Sequence, residues 1–202
     1  DGRAVTAHCP NTGTMLGVAE PNSEVWLSVS DNPKRKLPYT WELVRADGAL
    51  VGINPLNANR VVSGALETRA VPGVDQYGSF RREVRYGEGS RVDFLLSEPG
   101  LPDCYVEVKN VHLARQNGLA EFPDAVTARG AKHLAELARV RAAGSRAIML
   151  FLVQREDCDR FQVAEDIDPA YGAALGAAVE AGVEVLCLAC QVSLTDITVV
   201  RR

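Results

Sequence analysis

Seven apolar residues in a row, Ala147-Ile148-Met149-Leu150-Phe151-Leu152-Val153, leave a strand no side to turn toward water. A run of this length suits a buried central strand, which needs other elements packed on both of its faces. Residues 127–143 precede it with helical periodicity, placing Leu134, Leu137 and Ala138 on one face, and Gly144 stops the helix. A second helix is predicted over 169–181, with Asp168 as its cap, Pro169 at its first position and Gly182 at its end. Another apolar strand, 183–189, follows at once. Helices alternating with apolar strands predict an α/β layer structure with some parallel pairing.

The first part of the chain differs. Residues 4–7, 24–29, 39–45 and 49–53 are short β-type pieces, and Asp47-Gly48 between the last two is a hairpin signal. Turns bearing Gly and Pro separate them without a long helical period, which predicts a small β-barrel or sandwich over 1–54. The α/β domain then takes 55–202, opening on a weak helix at 57–66 that contains Val61-Val62-Ser63-Gly64. The fold class is therefore mixed α/β.

Chemistry concentrates in one hairpin. Arg91-Val92-Asp93-Phe94-Leu95-Leu96 and Cys104-Tyr105-Val106-Glu107-Val108-Lys109-Asn110 flank a Pro- and Gly-bearing turn. Side chains alternate along a strand, so Glu107 and Lys109 share one face, as do Arg91 and Asp93. Pairing in register would bring two carboxylates and an ammonium together. Such a patch could hold a divalent ion beside a phosphodiester, with magnesium taking the two carboxylates, a backbone carbonyl and waters. Lysine would orient the water or offset developing charge. The bland alternative is a surface Glu-x-Lys ion pair of little energetic weight.

Lys34, Arg35 and Lys36, followed by Tyr39 and Trp41, suit phosphate contact and base stacking; a solvated loop with core aromatics fits equally. Arg81, Arg82, Arg85 and Arg91 lie before and on the hairpin, and Arg129 and Lys132 near the start of the long helix, as candidate DNA contacts. A net charge of −4 argues against a bulk polycation but leaves local basic patches. His8, His112 and His133 are too scattered for a triad. Tyr86-Gly87-Glu88-Gly89 shapes the hairpin. Cys187 and Cys190, three apart on a strand, face opposite ways and would not chelate one metal. Five cysteines without scaffold density fit a reducing cytoplasm, and no apolar run is long enough to span a bilayer.

Several segments resemble the sugar fermentation stimulation protein A family. They are His8-Cys9-Pro10-Asn11-Thr12-Gly13, residues 30–36, Tyr39-Thr40-Trp41-Glu42-Leu43, Ala58-Asn59-Arg60, 83–94, 104–111 and Phe122-Pro123-Asp124-Ala125-Val126-Thr127. The resemblance covers nearly the whole chain. It implies an OB-fold-like N-terminal domain, a C-terminal domain of the PD-(D/E)xK restriction-endonuclease type, and DNA binding with little sequence preference. A role in regulating sugar (maltose-type) use is also implied. Asp93 matches the motif's Asp, and Glu107 and Lys109 its (D/E)xK, with Asp93 and Glu107 as ligands of Mg²⁺ or Mn²⁺. The resemblance also implies a stretch before Asp1, leaving the barrel short of its first strand. Two positions depart from the family: an acid is usual where this chain has Gly64, with Glu67 one turn on, and a Gln where it has Ala131.

Two readings of function follow: a DNA-binding protein that carries this site, or a metal-dependent DNA endonuclease or exonuclease that uses it. No sugar-phosphate or nucleotide-cofactor signature supports a sugar-metabolising enzyme. Oligomeric state is open, a dimer included.

Overall fold

The computed structural model describes residues 2–87 and 89–200. Asp1, Glu88, Arg201 and Arg202, which the expected domains and the Tyr86–Gly89 turn include, lie outside them. Four strands form the first sheet: β1 (Ala7–His8), β2 (Val25–Val29), β3 (Tyr39–Ala46) and β4 (Ala49–Gly52). β3 is shared. β2 runs antiparallel along one edge, while the other edge takes β1 at its start and β4 at its end. Met15, Val18, Val44, Val51 and Ile53 fill the small core beneath it. The β-type segments lie where alternation predicts them, except that the first is only Ala7–His8.

Helix α1 (Pro55–Glu67) starts two residues earlier than expected. Asn54 caps it by accepting the Leu56 N–H at 3.0 Å, and Pro55 needs no donor partner at the first turn. The remaining elements are β5 (Ser79–Tyr86), β6 (Ser90–Ser97), β7 (Cys104–Val111), β8 (Leu113–Gln116), β9 (Gly118–Phe122), α2 (Ala128–Ala142), β10 (Arg146–Val153), β11 (Cys158–Val163), α3 (Pro169–Glu180), β12 (Glu184–Val192) and β13 (Ile197–Val199). A six-stranded sheet runs β13-β12-β10-β7-β6-β5, parallel from β12 through β10 to β7 and antiparallel at both ends. The apolar run of β10 is its centre, buried along almost its whole length.

The sheet divides the core in two. α1 packs on one face against Phe94, Val106, Ile148 and Leu150, and α2 and α3 pack on the other against Met149 and Phe151. A three-stranded sheet, β11-β9-β8, stands apart; the sequence reading did not foresee it. Cys187 is exposed and Cys190 buried, as opposite faces require. No helix among the described residues is long and apolar enough to cross a membrane.

Candidate functional site

β6 and β7 pair at Phe94–Val106, Leu95–Tyr105 and Leu96–Cys104, so Asp93 and Glu107 would be the next pair. The ladder stops short of them. The Asp93 carboxylate takes the place of a backbone acceptor: Oδ2 receives the Val108 N–H at 2.7 Å, and Oδ1 receives the Asn59 side-chain amide of α1 at 2.8 Å. Opposite Asp93, Glu83 of β5 has φ +53, a left-handed conformation unusual for a non-glycine residue, and the β5–β6 register skips that pair. Val92 and Leu95 both face the α2 side while Phe94 faces α1, so the side-chain alternation slips at this point. The regular shared face expected for Arg91 and Asp93 is interrupted there. A local irregularity of this kind re-aims a side chain at the end of a ladder.

Glu107 and Lys109 share the face turned toward α2. Glu107 is only 3% exposed. Its Oε1 accepts Lys109 Nζ at 2.8 Å and is bonded to Nδ1 of His133 on α2. Arg129 Nε, one helical turn before His133, donates to His133 Nε2 at 3.3 Å. That bond uses the Nε2 lone pair, which places the ring hydrogen on Nδ1, pointing at Glu107. Burial raises the Glu107 pKa, but the His133 and Lys109 hydrogen bonds outweigh it and hold the carboxyl below its usual range. Asp93 moves the other way: burial first, then the charge of Glu107, push it up against the Val108, Asn59 and Lys109 contributions. Tyr86 and Tyr171 wall the site, their hydroxyls buried without partners among the described residues and their pKa values raised by burial and by the Glu107 charge.

Glu107 Oε2 is buried and has no hydrogen-bond partner among the described residues. Buried carboxylate oxygens seldom stay unsatisfied, and a hard cation or ordered water is the usual reason. Two carboxylates are oxygen donors suited to a divalent ion. Among the described residues no group of three or more His, Cys, Asp or Glu side chains stands ready to hold a metal. Any ion here would complete its shell from backbone, water or ligand oxygens.

His133, Asn59, Tyr86 and Tyr171 are not among the site residues expected from the sequence. His133 was passed over as one of three scattered histidines, although it lies one turn before Leu137 on the buried face of α2. Neither Gly64 nor Glu67 leads to Asp93. Five residues past Asn59, Gly64 lies about 140° around the helix and lines a different cavity, as does Glu67. From α2 the residue that reaches Glu107 is His133, two positions beyond the half-buried Ala131.

The basic residues divide. Arg81, Arg85 and Arg91 are exposed on the outer hairpin, and Arg85 stands directly opposite Arg91 in the ladder. Arg82 turns away, its guanidinium 5.9 Å from the Phe94 ring on the α1 side. Arg129 and Lys132 are exposed on the first turns of α2, with Lys132 Nζ 3.9 Å from Glu136. Lys34, Arg35 and Lys36 form the turn region between β2 and β3, with Lys34 and Lys36 exposed. Trp41 is half-buried against the small core, its Nε1 donating to Leu43 O at 2.9 Å, so it is no stacking platform. Tyr39 keeps its hydroxyl outside, where Arg3 donates to it at 3.1 Å.

Comparison with known proteins agrees with this architecture. The SfsA N-terminal OB domain matches residues 1–53, and the sugar fermentation stimulation protein RE domain matches 56–196. A sugar fermentation stimulation protein homolog of Rhodospirillum centenum is 60% identical over 190 residues, 94% of this chain and 82% of that protein. The homolog of Maricaulis maris is 56% identical over 201 residues, 100% of this chain and 86% of its own. Among solved structures, Pyrococcus furiosus SfsA in complex with Ca²⁺ superposes with a TM-score of 0.89 at 25% identity, over 98% of this chain and 84% of that one. The chain belongs to the sugar fermentation stimulation protein (SfsA) family.

Proposed function

We propose that this protein binds nucleic acid with little sequence preference and holds a divalent cation between Asp93 and Glu107, in a PD-(D/E)xK-type site with Lys109 beside the ion. The observation that carries this reading is the buried Oε2 of Glu107, partnerless among the described residues, next to the Asp93 carboxyl that burial and then the charge of Glu107 push up. Two mutually repelling buried carboxylates are what a divalent cation relieves. Mg²⁺, Mn²⁺ and Ca²⁺ all take such oxygen ligands, and the Ca²⁺ complex of the Pyrococcus relative supports the same chemistry here.

The nucleic-acid side rests on the arginines. Like charges directly opposite across a ladder are unfavourable, yet Arg85 faces Arg91 on the exposed hairpin. A polyanion would make that pair favourable, with Arg81, Arg129 and Lys132 as further phosphate contacts. The exposed Lys34 and Lys36, with the half-buried Arg35 between them in the β2–β3 turn region, would extend the track. The family's name supports a regulatory role in sugar use, exerted through this binding.

A second reading, phosphodiester hydrolysis, is favoured by Lys109 Nζ, held at 2.8 Å from Glu107. When bound, the ion would act as a Lewis acid and generate a nucleophilic water. The chain's own part is positional: Lys109 presents an ammonium, and His133, fixed by Arg129, keeps Glu107 ionised and oriented.

Fluorescence anisotropy with a labelled oligonucleotide tests the first reading. Affinity is expected to fall steeply with salt and to rise on adding Ca²⁺, and Glu107→Gln should remove only the Ca²⁺ response. Salt-insensitive binding, or none, would sink it. Plasmid nicking in Mg²⁺ or Mn²⁺ that disappears in Asp93→Ala supports hydrolysis; clean wild-type protein that never cuts rejects it.

A further inference from the structure

A cavity lies on the opposite side of the sheet from Glu107. It is about 540 Å³ in volume, between α1, β5 and β13, and its lining includes Arg60, Ser63, Gly64, Glu67, Arg82 and Thr198. That volume falls in the range of small-molecule sites. Asp93, Glu107 and Lys109 are not part of it.

Gly64 is the informative residue. A glycine inside a helix costs ~0.5–1 kcal/mol relative to alanine, so it normally answers a local need. Here Gly64 has ordinary helical backbone, and a Cβ built on it would meet nothing within 4 Å. Neither backbone geometry nor packing calls for it. What its bare surface leaves is room in the cavity.

The lining holds two arginines and two acids, of which Arg60 and Asp196 are ion-paired. Arg60 pairs with Asp196 at 3.7 Å, and Glu67 accepts the Ser63 hydroxyl at 3.5 Å. Arg82 has no acidic partner among the described residues, and its guanidinium rests over Phe94, 5.9 Å from the ring centroid. A guanidinium on an aromatic ring keeps its donor fork free for a planar or tetrahedral oxyanion. We propose that this cavity binds a small phosphate ester, anchored by Arg82, in the space that Gly64 leaves. Glu67 and Asp196 offset the positive charge of the lining, so the ligand carries a single phosphate group rather than a polyphosphate, and binding lies in the millimolar range. The proposal stands apart from the metal site and needs no cation.

The test uses the whole chain, without divalent metal, in ¹H–¹⁵N spectra titrated with inorganic phosphate. Saturable millimolar shifts are expected at the amides of Thr198 and of Thr68, which follows Glu67 and also lines the cavity. Gly64→Glu places a carboxylate in the open space and should weaken binding by roughly tenfold or more, about 1.4 kcal/mol. Gly64→Gln, of equal size but neutral, should hold within about threefold. Thermal melts establish that both variants fold. Wild-type protein showing no saturable shift at these amides overturns the proposal, as does Gly64→Glu binding phosphate as tightly as wild type. An oligonucleotide arm separates the sources: displacement of phosphate from these amides assigns the site to a strand phosphate, and undisturbed shifts assign it to a free ester.

Discussion

Asp93 and Glu107 are neighbours whose acidities move in opposite directions, and stability follows each with its own sign. The Glu107 carboxyl is held below its unfolded value of 4.5, so it contributes stability above that pH and loses it as pH falls through the lower folded value. Asp93 is held above its unfolded value of 3.8, so its ionised form costs stability once pH rises past the folded value. Asp93→Asn should therefore raise the melting temperature at neutral pH without divalent metal and abolish the further rise that Ca²⁺ is expected to give the wild type. The Val108 N–H can still bond the amide oxygen, and the Asn59 amide can flip to match. A lower melting point in metal-free buffer would contradict this account. His133→Ala removes the hydrogen bond that does most to lower Glu107. It is expected to destabilise by about 1–3 kcal/mol and to move the pH midpoint of Ca²⁺ binding upward, read by calorimetry across pH. An unmoved midpoint would mean that His133 does not set the acidity of Glu107. Glu107 and Lys109 were legible because both lie on one strand at a spacing of two. His133 was not, since it arrives from another layer, 26 residues away in sequence.

At the scale of elements, one side chain ties two helices. Asp168 Oδ1 accepts the Tyr171 N–H at 2.9 Å at the start of α3, and Oδ2 accepts the Thr127 N–H at 2.8 Å at the start of α2. Asp168→Ala leaves both donors without their acceptor and should cost about 2–4 kcal/mol. Chemical denaturation measures it, and a loss below about 1 kcal/mol would show that the second bond contributes nothing. α2, α3 and β10 were readable because caps, stops and apolar runs agree in these segments. The β8–β9–β11 sheet was missed despite Asn117-Gly118, a strong hairpin signal, with Gly118 at φ +77. Its strands are short and bury Glu121, which Arg115 and Gln162 satisfy at 2.7 and 3.0 Å. A buried charge breaks the apolar alternation by which strands are recognised.

Across the whole molecule, the two sheets lock together where little in the sequence announces it. Gly52 N–H bonds Gln154 O at 2.8 Å, Val51 bridges Arg155, and the buried Arg155 guanidinium binds Asp157, His112 O and Asp47 of the β3–β4 turn. Arg155 follows the central strand and reads locally as the polar end of β10. Only the assembled fold shows it buried between the two parts. The six-stranded sheet then separates the two proposed sites by face: Glu107 and Lys109 toward α2, the Gly64 cavity toward α1. The site lies where β6 and β7 part, on a rigid scaffold rather than on loops, so single substitutions there can change ligand binding without loss of the fold. Calorimetric titration of Ca²⁺ into wild-type protein and Glu107→Gln, with matched melting curves, tests the central claim most directly. The wild type should show a saturable site that Glu107→Gln lacks. Equal Ca²⁺ binding by the two proteins, or none by the wild type, would contradict a metal site at Asp93 and Glu107.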